Sequence, residues 1–194
     1  VLPAKAAQLI ALGLDAEAEA YIAENEATAS SAYEGRETEA LCLMYGQLSR
    51  AKRRYKVGVA AVSFDALMRA PADADRWSWE CLYPAPYREL VVDLEKNHSL
   101  TAGLVHALMR QESAFDPEAR SPVGAEGLMQ LMPSTAEQAA KEANVEGFSS
   151  DEVTTPDVNL RLGSFYIAKM LKTFDGSLPL AVAGYNAGPT AVSR

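Results

Sequence analysis

The chain has 194 residues, 48% of them hydrophobic, and a formal net charge of −8 at pH 7. That length suits one large domain or two small ones and is enough to bury a real core. The acidic balance argues against a nucleic-acid partner, which needs a concentrated basic surface. The apolar runs are too short and interrupted to span a bilayer. No charged region followed by an apolar one opens the chain, and a start at Val1 suggests a processed or trimmed product.

The pattern along the chain is helical nearly throughout, which predicts an all-α fold. A short amphipathic segment from Ala4 to Leu12 is stopped by Gly13, and Asp15 opens the next, through about Asn25. A third runs from about Gly35 to Leu48 and a fourth from Ala51 to Met68. Four short helices with brief connections predict antiparallel hairpins resembling pieces of an α-solenoid, over residues 1–72. The fourth begins in a basic run, Arg50 to Lys56 (RAKRRYK), which a solvated helix face or turn would explain.

Residues 73–98 read as a linker. The stretch from Ala70 to Pro86 holds Pro71, Pro84, Pro86 and both tryptophans, Trp77 and Trp79. The tryptophans suit anchoring at a domain junction, with a sugar platform as the alternative. A helix from Tyr87 to Lys96 follows.

Residues 99–194 are a second domain. Ser99 can cap a helix carrying Leu100, Leu104, Val105 and Leu108 to about Ser113, and Pro117 cannot continue it. A loop with Pro122, Gly124 and Gly127 precedes Ser134 and Glu137, which spell a capping box for a helix to about Asn144. Further helices are predicted from Asp157 to Phe174 and from Pro179 to Tyr185. Cys42 and Cys81 have no metal-ligand spacing and are either buried thiols or one disulfide. His98 and His106 have no evident third ligand, so no metal and no cofactor are expected.

Glu112 shares a helix face with Leu104 and Leu108, four and eight residues earlier. That face points to the core, and Glu112 sits in the last turn, at the negative end of the helix dipole. Both effects raise a carboxyl's pKa. A carboxyl kept protonated at neutral pH in an apolar setting suits a general acid for glycosidic cleavage.

Glu112 lies in the first of three segments, Arg110-Gln-Glu-Ser-Ala-Phe115, Ser121-Pro-Val-Gly-Ala-Glu-Gly-Leu-Met-Gln-Leu-Met-Pro133, and Ala183-Gly-Tyr-Asn-Ala-Gly-Pro189. In order and spacing they resemble the three motifs of soluble lytic transglycosylases, the family 23 glycoside hydrolases. Upstream, Tyr83-Pro-Ala-Pro-Tyr-Arg88 resembles the segment that joins the helical superhelix of these enzymes to their catalytic domain. The resemblance implies a lysozyme-like catalytic domain with Glu112 as its single acid/base. It implies Ser121, Gln130, Met132, Tyr185 and Asn186 as substrate-binding residues. Gly127, Gly184 and Gly188 serve close packing or left-handed backbone.

The implied substrate is the glycan strands of peptidoglycan, in a bacterial periplasm or cell envelope; protein partners are unknown. The implied reaction breaks the β-1,4 bond between N-acetylmuramic acid and N-acetylglucosamine and leaves a 1,6-anhydromuramic end. Members of the family usually continue beyond the position of Arg194 through helices that complete the groove, and an acidic residue sometimes found there has no counterpart here. Two rival readings remain open: a goose-type lysozyme-like hydrolase, which needs a second carboxylate to activate water, and a non-catalytic helical scaffold that binds the wall.

Overall fold

The computed structural model describes residues 1–63, 65, 68–70, 72 and 76–193. Among these the chain is all-α, as expected, with only isolated bridges at Arg120–Glu126 and Glu126–Leu131 outside the helices. It divides into two units. The first is Val1–Tyr87 with Ala114–Asp116; the second is Arg88–Ser113 with Pro117–Arg194. The division after Tyr87 lies inside the 73–98 segment, and residues 73–75 at its expected edge lie outside the described residues.

The first unit holds α1 (Ala4–Ala11), α2 (Asp15–Glu24), α3 (Glu26–Ser30), α4 (Glu37–Tyr45), α5 (Lys52–Ala61) and α6 (Arg76–Leu82). Helix α1 packs on α2 through Ala6 and Ala18, whose small side chains let the backbones approach. Ile22, Tyr45 and Leu48 complete that core. The fourth helix is shorter than its pattern suggests: α5 ends at Ala61 and Val62 is extended, while 64, 66 and 67 lie outside the described residues. Residues 76–82 are helical where composition reads as linker, because tertiary packing overrides local propensity there. Ser78, Cys81 and Leu82 are buried, and Trp79 stacks on Tyr83 with ring centroids 5.7 Å apart.

A disulfide joins Cys42 of α4 to Cys81 of α6, and both residues are fully buried. Helix α5 passes so close to this bridge that a Cβ on Gly58 would stand 3.0 Å from the Cys81 carbonyl carbon and oxygen. The basic run is not merely a solvated face. Arg50 pairs with Glu19 of α2 (3.2 Å), Arg53 with Glu26 of α3 (2.8 Å), and Arg54 with Glu80 of α6 (3.6 Å). Glu26 also accepts the Tyr45 hydroxyl at 2.7 Å, so the cation of α5 and the phenol of α4 meet on one carboxylate. Those hydrogen bonds hold the Glu26 carboxyl below its ordinary value against the opposing effect of burial.

The second unit holds α7 (Arg88–Asn97), α8 (Leu104–Ser113), α9 (Pro133–Glu142), a 3-10 turn (Ser150–Glu152), α10 (Pro156–Thr173), α11 (Leu178–Ala187) and α12 (Pro189–Val192). Helix α10 packs against α7, α9 and α11, and its Leu160, Leu162, Ile167 and Met170 lie in the core. Two caps differ from the sequence pattern. Ser99 does not cap α8; it has φ 55°, and Leu100 precedes the helix. The cap is Glu95, whose buried carboxylate accepts N–H groups from Gly103 and Val105, each at 3.0 Å. A carboxylate there satisfies orphan donors and meets the positive end of the helix dipole. Likewise Ser134 lies inside α9, which starts at Pro133 with Met132 extended before it. The capping box belongs instead to Ser149 and Glu152.

The disulfide closes a sequence separation of 39 residues, a constraint worth about 4 kcal/mol on loop-closure entropy. Replacing both cysteines with serine lowers the thermal midpoint of the first unit by roughly 15–30 °C, read by circular dichroism. An unchanged midpoint would mean that helix packing, not the bridge, sets its stability.

Candidate active site

Helix α8 buries Val105, Leu108 and Met109, and that same side carries Glu112 at its last turn. The carboxyl opens into a cleft of ≈ 370 Å³ lined also by Ser121, Gln130, Met132, Thr135, Tyr166, Tyr185 and Asn186. Burial raises the Glu112 pKa above the ordinary carboxylate range, and a hydrogen bond with the Asn186 amide partly opposes it. Ser113, next in the chain, points away from the cleft. Its hydroxyl donates to the Leu128 carbonyl at 2.8 Å and lies 3.1 Å from the Met109 carbonyl, tying the end of α8 to the loop before α9.

That loop makes a compact knot rather than a flexible connection. Glu126 and Leu131 exchange both backbone hydrogen bonds, at 2.9 and 3.0 Å, and Gly127 N–H donates to the Ala119 carbonyl at 2.9 Å. Gly127 has φ 80°, and a Cβ there would stand 2.3 Å from the Asn159 amide nitrogen, so only glycine fits. Asn159 of α10 is fully buried and fully bonded. Its oxygen accepts Met129 N–H at 2.7 Å, and its nitrogen donates to the Glu126 and Val153 carbonyls at 3.0 and 2.8 Å.

The knot sets what each side chain can offer. Ser121 Oγ accepts Ala125 N–H at 2.8 Å, which leaves its own proton to be donated into the cleft. Gln130, at φ 46°, spends its amide N–H groups on the Ala119 and Gly127 carbonyls (3.1 and 2.9 Å), leaving its carbonyl oxygen as an acceptor. Met132 is 38% exposed on the cleft wall, an apolar surface for the face of a ring. Tyr185 is buried and donates its hydroxyl to the Met129 carbonyl at 2.7 Å. Burial, then the neighbouring Glu112 charge, then Tyr166, push that phenol well above its ordinary pKa, so it stays neutral. Asn186 donates to the Val182 carbonyl at 3.1 Å and also reaches Glu112.

All the residues singled out from the sequence, Glu112, Ser121, Gln130, Met132, Tyr185 and Asn186, line this one cleft. Sequence reading missed Thr135, Tyr166 and, behind the wall, Asn159. Tyr166 stands with its ring centroid 5.2 Å from that of Tyr185. For Asn159 a signal was there: it shares a helical stripe with the buried Leu162 and Met170, and an Asn inside needs a polar reason, whereas Tyr166, on the same stripe, is half-buried.

The soluble lytic murein transglycosylase of Escherichia coli K12 is 35% identical over 111 residues, covering 57% of this chain and 17% of that protein. A putative soluble lytic murein transglycosylase of Haemophilus influenzae is 30% identical over 132 residues, covering 68% of this chain and 22% of that protein. The crystal structure of the 70 kDa soluble lytic transglycosylase of Escherichia coli superposes with a TM-score of 0.64 at 25% identity, covering 97% of this chain and 28% of that one. An inactive mutant of the lytic transglycosylase Slt of Pseudomonas aeruginosa gives 0.59 at 27% identity, covering 100% of this chain and 31% of that one. The chain thus spans less than a third of the length of each of these relatives. Residues 89–194, more than half of the chain, match the family model described as the transglycosylase SLT domain, and the chain belongs to that family.

Proposed function

We propose that the chain is a lytic transglycosylase that cleaves the β-1,4 bond between N-acetylmuramic acid and N-acetylglucosamine in peptidoglycan, with Glu112 as its acid/base. The observation that carries this reading is a single carboxyl, raised in pKa by burial, opening into a cleft walled by two tyrosines, a serine hydroxyl and two amides. Such walls suit N-acetyl sugars, which are bound by flat apolar faces and a few placed hydrogen bonds. The family membership and the murein transglycosylase names of the relatives support the same substrate.

One carboxyl is sufficient if it acts twice. Protonated Glu112 donates to the glycosidic oxygen as the anomeric carbon gains oxocarbenium character. The N-acetyl oxygen of the muramic unit stabilises that carbon, so no carboxylate nucleophile is required. Ionised Glu112 then takes the proton of the muramic 6-hydroxyl, whose oxygen bonds to the anomeric carbon and closes the 1,6-anhydro ring. Ser121 contributes a donor near the N-acetyl group, Gln130 an acceptor, and Met132, Tyr166 and Tyr185 the surfaces that keep water from the anomeric carbon. Asn186 holds the carboxyl from the side. A hydrolase of the inverting kind would need a second carboxylate roughly 6.5–9.5 Å away. Of the candidates, Asp116, Glu126, Asp157 and Asp175, none lines the cleft with Glu112, and Glu126 pairs with Arg120, Asp157 with Arg161 and Asp116 with Lys52. The setting is the cell envelope, where murein lies, and no described helix is long and apolar enough to cross a membrane.

Digestion of purified peptidoglycan, with mass spectrometry of the soluble products, tests the reaction. The parent chain releases anhydro-ended muropeptides, and Glu112→Gln loses about 10²–10⁴-fold in rate. Reducing ends would make the chain a lysozyme, and an active Glu112→Gln would remove the assigned acid/base.

The raised Glu112 pKa fixes two pH signs. The alkaline limb of kcat/KM lies above the ordinary carboxylate range of about pH 4, and a limb at or below that value contradicts a buried acid. A folded-state pKa above the unfolded one means stability that is present below the unfolded pKa and lost as pH rises through the folded one. Glu112→Gln therefore raises the melting temperature at pH 7, by about 1–3 °C. The gain vanishes near pH 3, and a pH-independent gain would point to a cause other than ionisation.

A further inference from the structure

Helix α10 borders two concavities of the second unit. Tyr166 turns to the cleft of Glu112, while Phe165, Lys169 and Lys172 follow one another at helical spacing along a different stripe. That stripe is the floor of a second groove of ≈ 720 Å³, which shares no lining residue with the cleft. On one side Lys169 Nζ pairs with Glu142 of α9 at 2.7 Å. On the other stand Asn97, His98 and Ser99, at the end of α7. The His98 ring meets the Phe165 ring edge-on, with centroids 6.2 Å apart.

This rim is held on both flanks. Leu100 N–H donates to the Glu95 carbonyl at 2.8 Å and Ser99 N–H to the Lys96 carbonyl at 3.2 Å, the bonding of a closed helix end. The Glu95 carboxylate then takes the N–H groups of Gly103 and Val105, so the turn cannot slide along α8. Among the described residues the side chains of Asn97, His98, Ser99 and Lys172 carry no hydrogen bond or ion pair. Four uncommitted polar groups converging over an aromatic floor have the make-up of a ligand site.

Charge selects the ligand. Lys169 and Glu142 cancel, which leaves Lys172 as an unbalanced ammonium on a chain of net charge −8. One ammonium with neighbouring amide and hydroxyl groups suits one carboxylate rather than a polyanion, which needs many cations. Phe165 and Ala168 offer apolar surface for small side chains. In peptidoglycan, free carboxylates and small apolar side chains belong to the peptide stems and not to the sugar rings. We propose that this groove binds the carboxylate-bearing peptide stem of peptidoglycan, with Lys172 as its charge partner and Phe165 and His98 as its apolar wall. The identity of the ligand rests on the chain acting on peptidoglycan. A second hold on the same polymer raises the effective concentration of strands at the cleft.

The probe is the sugar-free peptide mixture cut from purified peptidoglycan by an amidase, added to the full chain. His98 and His106 are the two histidines, so their imidazole resonances give one reporter inside the groove and one outside it. The peptides shift His98 and leave His106 in place, and glycan strands stripped of peptide do not move His98. Lys172 is exposed in the last turn of α10, and Lys172→Ala weakens peptide binding about ten-fold with the fold intact by circular dichroism. Lys56→Ala, which removes the same charge from α5, leaves binding within about two-fold. On intact peptidoglycan Lys172→Ala raises KM about three-fold or more at unchanged kcat, and on stripped strands it alters neither. Peptide binding that survives Lys172→Glu, or acetate at equal concentration shifting His98 as far as the peptides do, overturns the proposal. Anhydro-ended products with His98 unmoved by peptides remove the groove alone. No such products, with His98 still shifted by peptides, remove the proposed reaction and leave the groove.

Discussion

The site depends on the backbone of one residue, Met129. Its N–H is donated to the Asn159 amide oxygen at 2.7 Å, and its carbonyl takes the Tyr185 hydroxyl at 2.7 Å. Asn159 belongs to α10 and Tyr185 to α11, so a single residue of the loop is fastened to both helices that face α8 across the cleft. The Asn159 amide is wholly buried, and each of its donors and its acceptor is used. In a low-dielectric interior such a network is worth most when complete, because any orphaned group keeps a desolvation cost of about 1–3 kcal/mol. Ser121, Gln130 and Met132 ride on the loop so fastened. Their precision is therefore inherited from buried groups that never face the cleft.

The same logic explains why polar side chains on the cleft wall retain only part of their hydrogen-bonding capacity. Gln130 gives its donors to the backbone and keeps an acceptor, while Ser121 accepts from the backbone and keeps a donor. Each is orientated by the bond it has already made, so little rotamer entropy remains to be lost when a ligand arrives. Tyr185 goes further and spends its only donor on Met129, which leaves its ring rather than its hydroxyl as what it can offer.

Much of this was legible in the sequence, for definable reasons. Helix existence followed from the 3.6-residue period, and Glu112 stood out because Leu104 and Leu108 placed it on a core-facing stripe. Caps were less legible. Ser99 and the Ser134/Glu137 pair fit the local grammar of helix starts, but a carboxylate from the preceding helix, Glu95, and a proline at the first helical position took those roles. Long-range partners leave no periodic trace, so the Cys42–Cys81 bridge stayed one of two options and the partners of the basic run were invisible. Tyr166 shares a face with Leu162 and Met170, so the pattern marks it as core; that it is half-buried and lines the cleft is visible only in the fold.

In the proposed mechanism a single carboxyl first donates and later accepts a proton, and so would sit between opposing demands. Full burial would hold it protonated and spoil it as a base; full exposure would ionise it and spoil it as an acid. Glu112 is half-buried, raised by desolvation and pulled back by the Asn186 amide, which favours the ionised form. The end of a helix is a good place to strike this balance. The helix stem beneath it lies in the core, the carboxyl projects past the last turn into the cleft, and the neighbouring Ser113 can be tied down without restricting it. The left-handed turn that follows ends α8 at Ser113, one residue after the carboxyl proposed as acid/base, which therefore stands at the very end of the helix.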